Sequence, residues 1–183
     1  MPGNWFIGLP VPAGPWFDAL VPPPGVRLFG PDDLHVTVAF LGAVDETHAR
    51  AAFELAVEFP LPALEVQLGP IEALGSRRRP SAFSALLSEQ RGTVERALGA
   101  ARGAMWARAG AREDTRPPLA HVTLARPERR ASDVQRKAAL AWAKGLDLGS
   151  PRCELTRIAL YTWSLDRKQA LFRVVSELPL RAA

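Results

Sequence analysis

His35-Val-Thr-Val-Ala39 and His121-Val-Thr-Leu-Ala125 differ at one position only, and each sets an imidazole two residues before a hydroxyl. Side chains alternate across a strand, so His35 shares a face with Thr37 and His121 with Thr123, each pair about 6–7 Å apart. Ala39 and Ala125 are expected to continue that face with minimal bulk, leaving room for a ligand, while Val36, Val38, Val122 and Leu124 point to the core. Two such strands brought together would offer two imidazoles and two hydroxyls. Attack of water on a phosphodiester needs a base for the water proton, an acid for the departing alkoxide, and donors for the non-bridging oxygens. Histidine serves either proton role near neutrality, and threonine hydroxyls are neutral donors of the right reach.

The elements that must hold these motifs follow from apolar periodicity. Strands are expected at Trp5 to Leu9, Val26 to Phe29, Leu34 to Gly42, Leu64 to Leu74, Ala82 to Leu87, His121 to Arg126, Glu154 to Trp163 and Ala170 to Glu177. Helices are expected at Pro15 to Leu20, Glu46 to Phe59, Gly92 to Ala109 and Ser132 to Lys144. In both copies the next helix begins 11 residues after the histidine, at Glu46 and Ser132. Ser76 and Arg79 match Ser164 and Arg167 at a spacing of 88, and Ser88-Glu89 matches Ser176-Glu177 at the same spacing. The expectation is a duplicated α/β chain of the α+β type. It would form a single domain, residues 1–183, of two interlocked pseudo-symmetric lobes, with an antiparallel sheet in each lobe, helices on the outer faces and a central groove.

Composition narrows the function classes. The 183 residues carry 23 Lys+Arg against 19 Asp+Glu, a formal charge of +4, with 48% hydrophobic residues, which is the balance of a folded soluble protein. Only three of the basic residues are lysines, so the positive charge rests on arginine, which grips phosphate in a bidentate fork. No apolar run approaches the roughly 20 residues of a membrane span. The opening MPGNWFIGLPVPAG is unlike a secretory signal, so a cytoplasmic location with no membrane partner is expected. The single cysteine, Cys153, reads as an inert strand residue, and with three histidines and no CxxC pair neither a metal site nor a cofactor is expected. His48 reads as a solvated helix residue, and Asp32 and Asp33 as a turn before His35.

LHVTVAFLG and AHVTLAR resemble the paired His-x-Thr-x signatures of the two-histidine phosphoesterase superfamily, specifically the RNA 2′,3′-cyclic phosphodiesterases once called 2′–5′ RNA ligases. NWFIGLPVP is similar to that family's opening strand, and LTRIALYTWS with ALFRVVSELPL to its closing strand pair. The resemblance implies a bilobal fold and a metal-independent enzyme that hydrolyses a terminal 2′,3′-cyclic phosphate to a 2′-phosphomonoester, with His121 as base and His35 as acid. The implied partner is RNA with such an end, or a small nucleotide, and a monomer is expected. Alternatives are 2′–5′ ligation, a phosphodiesterase of small cyclic or 2′–5′-linked nucleotides, and a non-catalytic RNA or nucleotide binding module; both intact motifs argue against the last. Arg126 follows the second motif as a basic residue does in relatives, although strict alternation turns it away from His121 unless a bulge follows Ala125. Many relatives have Pro directly before the second histidine, where this chain has Ala120. Tyr161 and Trp163 are candidates for stacking on a base, and Arg77, Arg78 and Arg79 for contacting RNA phosphates.

Overall fold

The structure is a computed structural model and describes residues 3–76, 79–167 and 170–182. The chain runs through β1 (Trp5–Pro10), a short α1 (Pro15–Asp18), β2 (Val26–Leu28), a 3₁₀ turn (Pro31–Asp33) and β3 (His35–Gly42). Next come α2 (Glu46–Glu54), with a 3₁₀ turn at Leu55–Glu58, then β4 (Leu64–Gly75), β5 (Pro80–Glu89) and α3 (Arg91–Ala109). The last third holds β6 (His121–Pro127), α4 (Asp133–Gly145), β7 (Arg152–Leu155), β8 (Arg157–Trp163) and β9 (Phe172–Pro179).

Local chemistry explains where the helices after the two motifs begin. Asp45 accepts the His48 N–H at the head of α2, and Ser132 and Gln135 satisfy each other's backbone N–H in a capping box at α4. Each cap fixes how soon the chain leaves its histidine strand.

The named strands pair antiparallel in the order β7-β4-β5-β6-β3-β1-β8-β9, with β2 also on β6. This is an α+β fold. Where one sheet per lobe was expected, the two four-strand halves form one continuous sheet, because the inner strands β3 and β6 meet at a single register pair, Val36 with Val122. The expected strand Glu154 to Trp163 breaks at Thr156: β7 pairs with β4 and β8 with β1, so the chain crosses from one half to the other there. The hairpin β4–β5 completes the half that contains β6, and β8–β9 the half that contains β3. The matches at spacing 88 fall on unlike places, since β5 adjoins β6 whereas β9 is an outer edge and β1 takes the place beside β3. A large apolar core gathers β1, β3, β8 and the buried faces of α2 and α3, and a smaller one under α4 holds Val26, Phe83, Ala125, Ala139 and Ala143.

Candidate active site

His35 and His121 each open a strand, and each is held the same way. The Nδ1–H of His35 donates to the backbone oxygen of Asp33, and that of His121 to the backbone oxygen of Leu119, both at 2.7 Å. A carbonyl can only accept, so both rings carry their proton on Nδ1 and keep Nε2 for proton exchange. Continuing the antiparallel register from Val36 and Val122 sets His35 beside Thr123 and Thr37 beside His121. All four line one cavity of about 360 Å³.

The supports differ. His35 packs on Phe6, ring centroids 4.6 Å apart, and near Tyr161 and Phe172. Burial pushes its pKa down to about 4; burial also lowers that of His121. Gly8 of β1 faces Thr37, and a Cβ there would come within 3.1 Å of the Val36 carbonyl and 3.3 Å of the His35 ring. In the matching place on β5, the buried Ser84 reaches the Thr123 hydroxyl at 3.2 Å. Asp33 is 1% exposed, and its carboxylate accepts the backbone N–H groups of Gly30, Leu171 and Phe172, tying the turn before His35 to β9. On the other side, Glu95 of α3 accepts the Ala120 N–H at 3.1 Å, a bond that proline in that place could not make.

The strands do not alternate strictly beyond the threonines. β3 carries a one-residue bulge opposite Ile7 and Gly8, where Val38 is unmatched, and β6 carries another opposite Phe83 and Ser84, where Leu124 is unmatched. Each bulge shifts the phase by one. Ala39 and Ala125, expected on the open face, are therefore buried, and Phe40 and Arg126 turn to the groove instead. Arg126 thus joins the site, with its guanidinium 5.2 Å over the Phe29 ring. Phe40, 52% exposed, is a site residue that the sequence reading missed, although its place five residues after His35 matches that of Arg126 after His121.

The remaining candidates separate. Trp163 lines the cavity, stacked on Phe172 at 5.2 Å. Tyr161 is 1% exposed and stacked on Phe6 at 4.7 Å, so it backs the His35 pocket from the core rather than presenting a face to a base. Arg79 is exposed at the β4–β5 turn and does not line the histidines' cavity; Arg77 and Arg78 lie outside the described residues. His48 is an exposed helix residue paired with Asp45, and Cys153 is buried on β7. Among the described residues no group of three or more His, Cys, Asp and Glu side chains could hold a metal ion, and no helix is long and apolar enough to cross a membrane.

No family model matches the chain. An RNA 2′,3′-cyclic phosphodiesterase of Bacillus subtilis (strain 168) is 32% identical over 133 residues, 67% of this chain and 70% of the relative. Among solved structures, Escherichia coli LigT complexed with 3′-AMP superposes with a TM-score of 0.70 at 21% identity, over 98% of this chain and 99% of that one. A Thermus thermophilus protein gives a TM-score of 0.70 at 18% identity, over 98% of both chains. Both structural likenesses show the shared fold. With two His-x-Thr strands joined edge to edge over one cavity, and a relative of this identity and coverage, the chain belongs to the RNA 2′,3′-cyclic phosphodiesterase family of two-histidine phosphoesterases and is a phosphodiesterase.

Proposed function

We propose that the protein hydrolyses the 2′,3′-cyclic phosphate at an RNA terminus to a 2′-phosphomonoester, without a metal ion or other cofactor. The observation that carries this reading is the shared cavity, in which two imidazoles with free Nε2 atoms and two threonine hydroxyls surround a space beside Arg126. One imidazole takes the proton of the attacking water, and the other delivers its proton to the departing ribose oxygen. The threonine hydroxyls and Arg126 donate to the non-bridging oxygens as their charge grows. We read residues 1–183 as one domain of two interlocked lobes, supported by the matching burial and matching bulges of β3 and β6.

We keep His121 as base and His35 as acid. The His35 ring is the more deeply buried, and a phosphodiester anion beside a desolvated imidazole favours its protonated form strongly. Exchanged roles form a second reading, favoured by the pKa of about 4, which leaves His35 neutral in the free protein at neutral pH. The test offers a short RNA with a 2′,3′-cyclic end, and separately the mononucleotide, in chelator, and identifies the product. A 2′-phosphomonoester supports the reading; a 3′-phosphate product, or no turnover of either substrate, overturns it.

A further inference from the structure

A second compartment, about 880 Å³, opens from the same groove on the far side of His121. It shares Thr37, Phe40, His121, Thr123 and Arg126 with the first, but its walls are of another kind. The smaller compartment is aromatic, with Phe6, Phe29, Trp163 and Phe172, and suits one nucleoside. The larger is lined by four arginines (Arg91, Arg102, Arg116 and Arg126) against two acids, Glu95 and Asp114. Arg91 is paired with Glu95, whereas Arg116, whose side chain is 84% exposed, gives Asp114 its Nε and Nη2 and keeps Nη1 without a partner among the described residues. Arg102 lies 5.0 Å over the Trp106 ring and donates to the Arg116 backbone oxygen, and among the described residues neither it nor Arg126 is ion-paired to a carboxylate. Phe40 stands exposed between the two compartments.

We propose that this larger compartment holds the RNA strand on the 5′ side of the reacting terminus, with the next phosphodiesters on Arg102 and Arg116 and the penultimate base against Phe40. The proposal rests on the functional reading above. A cyclic-ended terminal nucleoside has one link to the rest of the strand, its 5′ oxygen, and the aromatic compartment is too small for a second nucleotide. The larger one continues from the reacting centre, offers excess positive charge and presents an aromatic face at its mouth. Guanidinium groups grip phosphodiesters in bidentate fashion, and aromatic faces take any base, so the compartment would read strand rather than sequence.

The experiment compares kcat/KM for three substrates: a trinucleotide ending in a 2′,3′-cyclic phosphate, the mononucleoside 2′,3′-cyclic phosphate, and that mononucleoside carrying a 5′-phosphate. The trinucleotide is expected to exceed the plain mononucleoside by about tenfold or more, as one or two charge-assisted hydrogen bonds supply. Arg116→Ala, at an exposed position, should cut that ratio severalfold with the thermal midpoint little changed, and Arg102→Gln should cut it further. The slope of log(kcat/KM) for the trinucleotide against log salt should flatten by about 0.7 per lost phosphate contact. A wild-type ratio near one, an unchanged ratio in both variants, or the full advantage with the 5′-phosphate alone would each overturn the strand path. In all three cases mononucleoside turnover persists and the functional reading stands, whereas a wild type inert on every substrate would fell both.

Discussion

Phe40 and Arg126 occupy matching places in two different halves of one sheet, each five residues beyond a histidine and each turned into the groove by a one-residue bulge. The strands that carry the histidines are nearly alike, yet these positions hold an aromatic ring and a cation. A symmetric pair of motifs thereby gains a direction. Arg126→Gln is expected to lower kcat/KM by about 10- to 100-fold through loss of a charged hydrogen bond to phosphate. Arg126→Lys should restore only part, because a lysine lacks the planar fork that lies over Phe29. Phe40→Leu should raise KM for oligonucleotides severalfold with kcat little changed. Equal kinetics in all three variants would remove both residues from the site.

The pH profile follows from the buried imidazoles. Burial pushes His35 down to about 4 and lowers His121 from 6.5 as well. The singly protonated pair is then populated on the acid side of the ordinary histidine range, so kcat/KM, which reports the free protein, should peak below pH 6.5 and fall as pH rises. Stability should respond in the same window. An unfolded histidine takes up a proton as pH falls through 6.5, but folded His35 does not until about 4, so stability declines as pH drops from 6.5 to 4. Urea midpoints across this range measure it, and His35→Gln should flatten the dependence. A rate maximum above pH 7 would contradict the electrostatics described above.

Asp33 offers a separate test. Its buried carboxylate accepts three backbone N–H groups, and Asn in its place would turn an amide donor toward some of them. Asp33→Asn is expected to cost about 1–3 kcal/mol of stability, read as a lowered thermal midpoint. Loosening Phe172 beside His35 should also reduce kcat. An unchanged midpoint would show that the Asp33 contacts contribute little.

Much of this site is legible in the sequence because it is local. The two His-x-Thr pairs, the alternation that puts each pair on one face, and the capped helices that follow all depend on neighbours a few residues away. The bulges at Val38 and Leu124 are not local. They arise from how β3 fits β1 and how β6 fits β5, so strict alternation put Ala39 and Ala125 in the groove and overlooked Phe40. The break at Thr156 was hidden for the same reason: Glu154 to Trp163 has continuous strand character, and only pairing with two distant partners divides it. Tyr161 and Trp163 are two apart on β8 and share a face by alternation, yet one is sealed under Phe6 and the other lines the cavity. Glu95, which accepts the N–H of the residue before His121, lies 25 residues from that residue in sequence.

In the proposed mechanism, proton transfer and oxygen stabilisation fall to the four motif residues and Arg126, and no step is assigned to a metal ion. Turnover should be unchanged in excess EDTA. Activity lost in chelator and restored by a divalent ion would require a different mechanism.

The central claim, that two imidazoles divide acid and base work on an RNA cyclic phosphate, is tested most directly by measuring kcat/KM for His35→Ala and His121→Ala on two substrates. One is a 2′,3′-cyclic-ended oligonucleotide, and the other is a phosphodiester with an activated leaving group that needs no proton. On the natural ester each variant should lose about 10² to 10⁴ in rate. On the activated ester His35→Ala should recover and His121→Ala should stay impaired; the opposite pattern would exchange their roles. Near-wild-type rates for both variants on the cyclic phosphate would contradict the account.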